Sequence, residues 1–74
     1  MDYRTRIDSK PEVMCGKPVI RGTRIPVELL LRKLGEGQSI DDLLVAYPSL
    51  KREDILSTLS YSADVIGQEE VIAA

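Results

Sequence analysis

The side chains best equipped for chemistry in this chain are its arginines and lysines, because histidine is absent, cysteine occurs once and six of the twelve acids stand in adjacent pairs. General-base work near neutral pH falls most often to histidine, and none is present. Cys15 has no imidazole to activate it as a nucleophile, and no second thiol with which to build a zinc site or an intrachain disulfide. The pairs Asp41-Asp42, Glu53-Asp54 and Glu69-Glu70 fall at helix starts or in the tail, where capping and solvation account for acids. This inventory predicts no catalytic residue, no metal site and no cofactor. The chain is expected to be a binding protein and not an enzyme.

The cations offer two kinds of contact. Lys17, Arg21 and Arg24 belong to a turn-rich segment whose short connections hold long basic side chains away from the body, and Gly16 and Gly22 allow close approach of backbone amides to a phosphate. With Thr23 in the same turn and Lys51 and Arg52 at the start of a later helix, the DNA-contact candidates are Lys17, Arg21, Gly22, Thr23, Arg24, Lys51 and Arg52. The competing reading has Gly22 making a turn, with the two arginines flanking it in solvent and pairing with Glu28 or with acids of the second helix. Arginine is also favoured at protein interfaces. Charge is polarised: residues 1–33 carry eight basic and four acidic side chains, net +4, and residues 34–74 carry two basic and eight acidic, net −6. A protein partner could therefore be met by Arg21 and Arg24, or by the tail through Glu69, Glu70, Val71 and Ile72.

The elements that must position these residues are short. At 74 residues the chain has room for one domain with a thin core, divided into a turn-rich basic arm (1–26), a helical body (27–66) and an acidic-apolar tail (67–74). Pro11, Pro18 and Pro26 confine strands to short edge pieces, and the turn at Arg21-Gly22-Thr23-Arg24 predicts a small hairpin between Pro18-Val19-Ile20 and Arg24-Ile25-Pro26-Val27. After Pro26 the apolar period is helical. Val27, Leu30, Leu31 and Leu34 predict a helix over 27–36 that Gly35 and Gly37 end; Ser39 caps a second over 40–47, with Asp42 at the capping-box position, and Pro48 stops it. A third is expected over 51–66, burying Ile55, Leu56, Leu59, Ala63 and Ile66 and exposing Asp54, Ser57, Tyr61 and Asp64. The fold class is mainly α: three helices, the last two in helix-turn-helix order, behind a short N-terminal hairpin or arm. A homodimer is expected, covering apolar residues such as Val19, Ile25 and Leu29. The single free thiol and the lack of a long apolar run predict a cytoplasmic protein with neither signal peptide nor membrane span.

The run Gly16-Lys17-Pro18-Val19-Ile20-Arg21-Gly22-Thr23-Arg24-Ile25-Pro26, with Ile7-Asp8 before it and Gly37-Gln38-Ser39-Ile40 and Tyr47-Pro48-Ser49-Leu50 after it, resembles the DUF433 family of small prokaryotic proteins. Lys10 stands before Pro11 where that family usually has an acid or asparagine, and Cys15 falls at a variable position. The resemblance implies a homeodomain-like or winged-helix-like domain and the role of an antitoxin in a type II toxin-antitoxin pair. Such a protein would neutralise a PIN-like nuclease toxin and bind the promoter DNA of the pair. The alternatives are a transcriptional regulator with no toxin partner and a pure protein-interaction module.

Overall fold

Pro26 divides the chain into a strand-and-turn arm and a helical body. The computed structural model describes residues 2–9 and 16–68. Along them run a 3-10 turn (Tyr3–Thr5), strands β1 (Ile7–Asp8) and β2 (Val19–Ile20), and helices α1 (Val27–Gly35), α2 (Ile40–Ala46) and α3 (Arg52–Gly67). The mainly helical class and the three expected helices are thus observed, with ends within a residue of the sequence reading. Cys15 and the tail from Glu69 lie outside the described residues.

The expected hairpin is present, and β2 pairs on both sides. The Ile20 amide donates to the Ile25 carbonyl at 3.0 Å, the Val27 amide donates to the Pro18 carbonyl at 3.0 Å, and Val19 bridges Pro26. Gly22 closes the turn at φ +79°, a conformation that a side chain would strain. On its other edge β2 pairs antiparallel with β1, in the register Ile7 to Ile20 and Asp8 to Val19. The sequence reading had no strand at β1.

Both ends of the inter-helix turn follow the sequence. After α1, the amides of Gly37 and Gln38 return to the carbonyls of Leu34 and Lys33 with Gly37 at φ +99°, which is a Schellman stop. At α2, Ser39 Oγ accepts the Asp42 amide at 3.0 Å, and Asp42 Oδ2 accepts the Ser39 amide at 2.9 Å. Ser39→Ala is expected to cost about 1 kcal/mol. The backbone hydrogen bond from Ser39 holds the Asp42 carboxyl below its ordinary pKa. Its stabilising effect is therefore present above the ordinary aspartate range and is lost as pH falls through the lowered folded value. An acid titration followed at the Ser39 and Asp42 amides should show that lowered midpoint; a midpoint at the ordinary aspartate position would mean that the reciprocal cap does not form in solution.

The core gathers Ile20, Val27, Leu30, Leu43, Leu50 and Ile55, with Ile40, Leu44 and Tyr47 of the α2 region packed against it. Each full burial contributes about 1.5–3 kcal/mol. Val19 is buried inside the fold, so it needs no cover from a second copy. The face of α3 differs from the sequence reading. Asp54, Ile55, Ser57 and Thr58 point inward, whereas Leu56, Leu59, Ala63 and Ile66 are exposed. Two hydroxyls of α3 bond back to the helix: Thr58 Oγ1 donates to the Asp54 carbonyl at 3.1 Å, and the half-buried Ser62 Oγ donates to the Thr58 carbonyl at 2.8 Å. No buried side-chain nitrogen or oxygen lacks a partner among the described residues. Hydroxyls that bond back to their own helix can line a core at little cost, which is why apolar count alone misplaces this helix.

Candidate interaction site

The N-terminal arm is fastened to α3 at two points. Tyr3 meets the ring of Tyr61 edge-on, with centroids 5.4 Å apart and planes at 87°, and its hydrogen bond to Asp64 raises the phenol pKa above the ordinary tyrosine value. Three residues on, Arg6 Nη1 lies 3.0 Å from Asp54 Oδ1, and Asp54 Oδ2 accepts the Lys51 amide at 2.8 Å. One carboxylate therefore caps α3 and anchors the arm. The first-turn acid that the sequence assigned to the solvent is a buried junction.

Most of the candidate cations meet acids of their own chain. Arg21 donates from Nη2 and Nε to Asp8 Oδ1 at 2.8 and 3.0 Å, and also from Nη2 to the Arg4 carbonyl at 3.0 Å. The Asp8 carboxylate holds the guanidinium further toward its charged form. Lys17 Nζ lies 2.8 Å from Glu28, whose carboxyl it holds below the ordinary pKa, and Arg32 approaches the other Glu28 oxygen at 3.7 Å. Arg52 pairs with Asp41 across the α2–α3 turn. Arg24 and Lys51 are exposed and stand outside the ion pairs among the described residues. Thr23 builds the turn: its hydroxyl donates to the Ile20 carbonyl at 2.7 Å and accepts the Ile25 amide at 3.0 Å. Gly22 is exposed, and nothing lies within 4 Å of where its Cβ would be. The competing reading gave Glu28 or second-helix acids to the two arginines; in the structure Glu28 is met by Lys17 and Arg32, and Arg21 turns to Asp8 instead. Glu69, Glu70, Val71 and Ile72 lie outside the described residues.

The sequence reading missed a groove where α3 outruns the core. It encloses about 270 Å³ and is lined by Pro18, Val27, Glu28, Leu31, Tyr61, Ser62, Val65 and Ile66. Its lining is almost wholly apolar, with Glu28 as the charged group and the Lys17 and Arg32 side chains on that carboxylate. The sequence signal for it was Val65, which falls outside the stripe assigned to the core yet is large and apolar. No set of three or more His, Cys, Asp or Glu side chains among the described residues could hold a metal ion. No helix among them is long and apolar enough to cross a membrane.

Residues 7–62 match the family model described as "Protein of unknown function (DUF433)". The chain belongs to the DUF433 family. The match starts at the first residue of β1 and ends inside α3, so it takes in the hairpin, α1, α2 and the Arg6-linked start of α3. Among solved structures, the chain is similar to a DUF433 member protein from Anabaena variabilis ATCC 29413, with a TM-score of 0.81 and 34% identity over 88% of this chain and 64% of that one. It is also 40% identical over 52 residues to "Uncharacterized protein y4eO" of Sinorhizobium fredii (strain NBRC 101917 / NGR234). That similarity covers 70% of this chain and 24% of the relative, so the chain spans about a quarter of that protein's length. These likenesses carry a fold and a family, and no activity comes with them.

Proposed function

We propose that this DUF433 chain is a protein-binding module acting as the antitoxin of a toxin-antitoxin pair, and that it seats a PIN-like nuclease on the groove between α1 and α3. The observation that carries this reading is the groove itself: an open, apolar groove of about 270 Å³ on a domain too small to spare it. Partner side chains of the apolar type would fill it, and a cation beside them could compete for Glu28. The clustered carboxylates of a PIN-like nuclease would then be masked by occlusion of the RNA path, not by an inserted arginine, since Arg21 is already held by Asp8.

Co-expression with the adjacent gene product tests the proposal. Wild type should co-purify and suppress the nuclease, and Val65→Glu, at a position 43% exposed, should abolish both while leaving the helical signal intact. Complex formation unaffected by Val65→Glu but lost on truncation after Gly67 would move the docking element to Glu69, Glu70, Val71 and Ile72. Loss confined to the R21A/R24A double variant would move it to the arm.

One observation favours a second reading, in which the chain binds its own promoter: Arg24 and Lys51 are exposed and, among the described residues, outside the ion pairs. Phosphate contacts of that kind would fall off steeply with salt. Fluorescence anisotropy with upstream DNA at low salt should then report binding that weakens in R21A/R24A. No binding at all would leave the protein-interaction module alone.

A further inference from the structure

Tyr61 stands between the N-terminal arm and the groove and belongs to both. Its half-buried ring packs against the edge of the core and lines the groove with Leu31, Val65 and Ile66. Its other neighbour is Tyr3 of the arm, whose ring meets it edge-on with centroids 5.4 Å apart and planes at 87°. Tyr3 is not part of the groove lining, and its phenol is tied by a hydrogen bond to Asp64, three residues along α3 from Tyr61. The same arm is anchored further on by Arg6 on Asp54, and by Arg21, which joins Asp8 and the Arg4 carbonyl. Tyr3 is therefore a fixed ring on a fixed segment.

An open apolar groove needs such a hold. Val65 is 43% and Ile66 62% exposed, and apolar surface left in water favours any nearby side chain that can fold over it. Tyr61 is the lining side chain with the reach to do so. A tyrosine in a helix has two open χ1 wells, and the edge contact with Tyr3 is made in only one of them. We infer that Tyr3 is the positioning residue of the groove: its ring edge holds Tyr61 as the groove's wall and keeps it from becoming the groove's lid. Without Tyr3, the Tyr61 ring populates its second well, turns over the apolar lining and takes the space that a partner side chain would fill. An edge-to-face pair biases a choice between two rotamers by about two- to tenfold. A ligand that needs the open state loses affinity in the same proportion. The consequence for the nuclease rests on the reading of the groove as the docking site; the state of the groove itself does not.

The chain alone tests this, with indole as the probe. In wild type, three-bond couplings should report a single Tyr61 χ1 rotamer, and titration with indole should shift the methyl signals of Leu31 and Val65. In Tyr3→Ala a second Tyr61 rotamer should appear, and indole binding should weaken by about three- to tenfold; Tyr3→Leu serves should that variant fail to fold. Tyr3→Phe keeps the ring edge and should bind as wild type does. In a Tyr61→Ala background the further loss of Tyr3 should change nothing, because Tyr3 acts through Tyr61. Ser39→Ala, which weakens the α2 cap away from the groove, should bind indole as wild type does. A wild type that takes no indole at these methyls, a Tyr3→Ala chain that binds as wild type does, or a loss that persists in the Tyr61→Ala background overturns the inference. Equal weakening in Tyr3→Phe or in Ser39→Ala overturns it too. Co-expression with the adjacent gene product keeps the two readings apart. A wild type that captures no nuclease, while Tyr3→Ala still closes the groove to indole, would remove the docking role and leave the hold of Tyr3 on Tyr61 standing. Capture by a wild type whose groove is indifferent to Tyr3→Ala would remove the hold alone.

Discussion

Asp54→Ala is expected to remove about 3 kcal/mol of folding stability, a large share of the roughly 5 kcal/mol that a domain of this length commands. Two contacts are lost at once. The Lys51 amide loses the acceptor that caps α3 at 2.8 Å, worth about 1 kcal/mol. Arg6 loses the carboxylate that holds it at 3.0 Å. The side chain of Asp54 is 11% exposed and that of Arg6 33%, so the pair is only partly screened and its rupture should cost about 2 kcal/mol. Because the arm is fastened to α3 through this pair and through Tyr3 on Tyr61, its release should also appear locally. The Ile7 and Ile20 amides of the β1–β2 ladder should lose hydrogen-exchange protection ahead of α1 and α2. Asp54→Asn keeps an oxygen for the Lys51 amide and gives up the charge, so it should fall midway. Urea unfolding of the three proteins reads the series, and an Asp54→Ala variant within about 0.5 kcal/mol of wild type would show that the junction bears no weight.

What could be read from the sequence divides along a physical line. Ser39 with Asp42, Gly37 after α1 and Gly22 in the hairpin turn were legible because each acts on backbone groups within a few residues of itself, and local chemistry leaves its mark in local spacing. The α1 stripe Val27-Leu30-Leu31-Leu34 was legible because its apolar period points at one core. Arg6 with Asp54 is a contact across 48 residues, and nothing in the spacing of either residue announces the other. The strand β1 was hidden for a related reason: its two residues are too few to show alternation, and its partner strand lies beyond an intervening stretch. The candidate cations were legible as cations and illegible as free ones. That Lys17, Arg21 and Arg52 face Glu28, Asp8 and Asp41 depends on the fold bringing acid and base together.

Ile55→Ala and Leu56→Ala should differ by several-fold in cost although the residues are neighbours and the apolar pattern assigns both to the core. Ile55 is fully buried among Ile20, Leu30 and Leu43, and truncating such a side chain costs about 2–5 kcal/mol through lost transfer energy and the cavity left behind. Leu56 is 37% exposed, so its truncation in a dilute monomer should cost less than about 1 kcal/mol, and alanine's better helix propensity returns part of that. The comparison measures the rotational setting of α3 directly. If the helix were turned to bury its larger apolar stripe, the order of the two effects would invert. Thermal melts of wild type and both variants supply the comparison. A Leu56→Ala cost that matches Ile55→Ala would place Leu56 in the core.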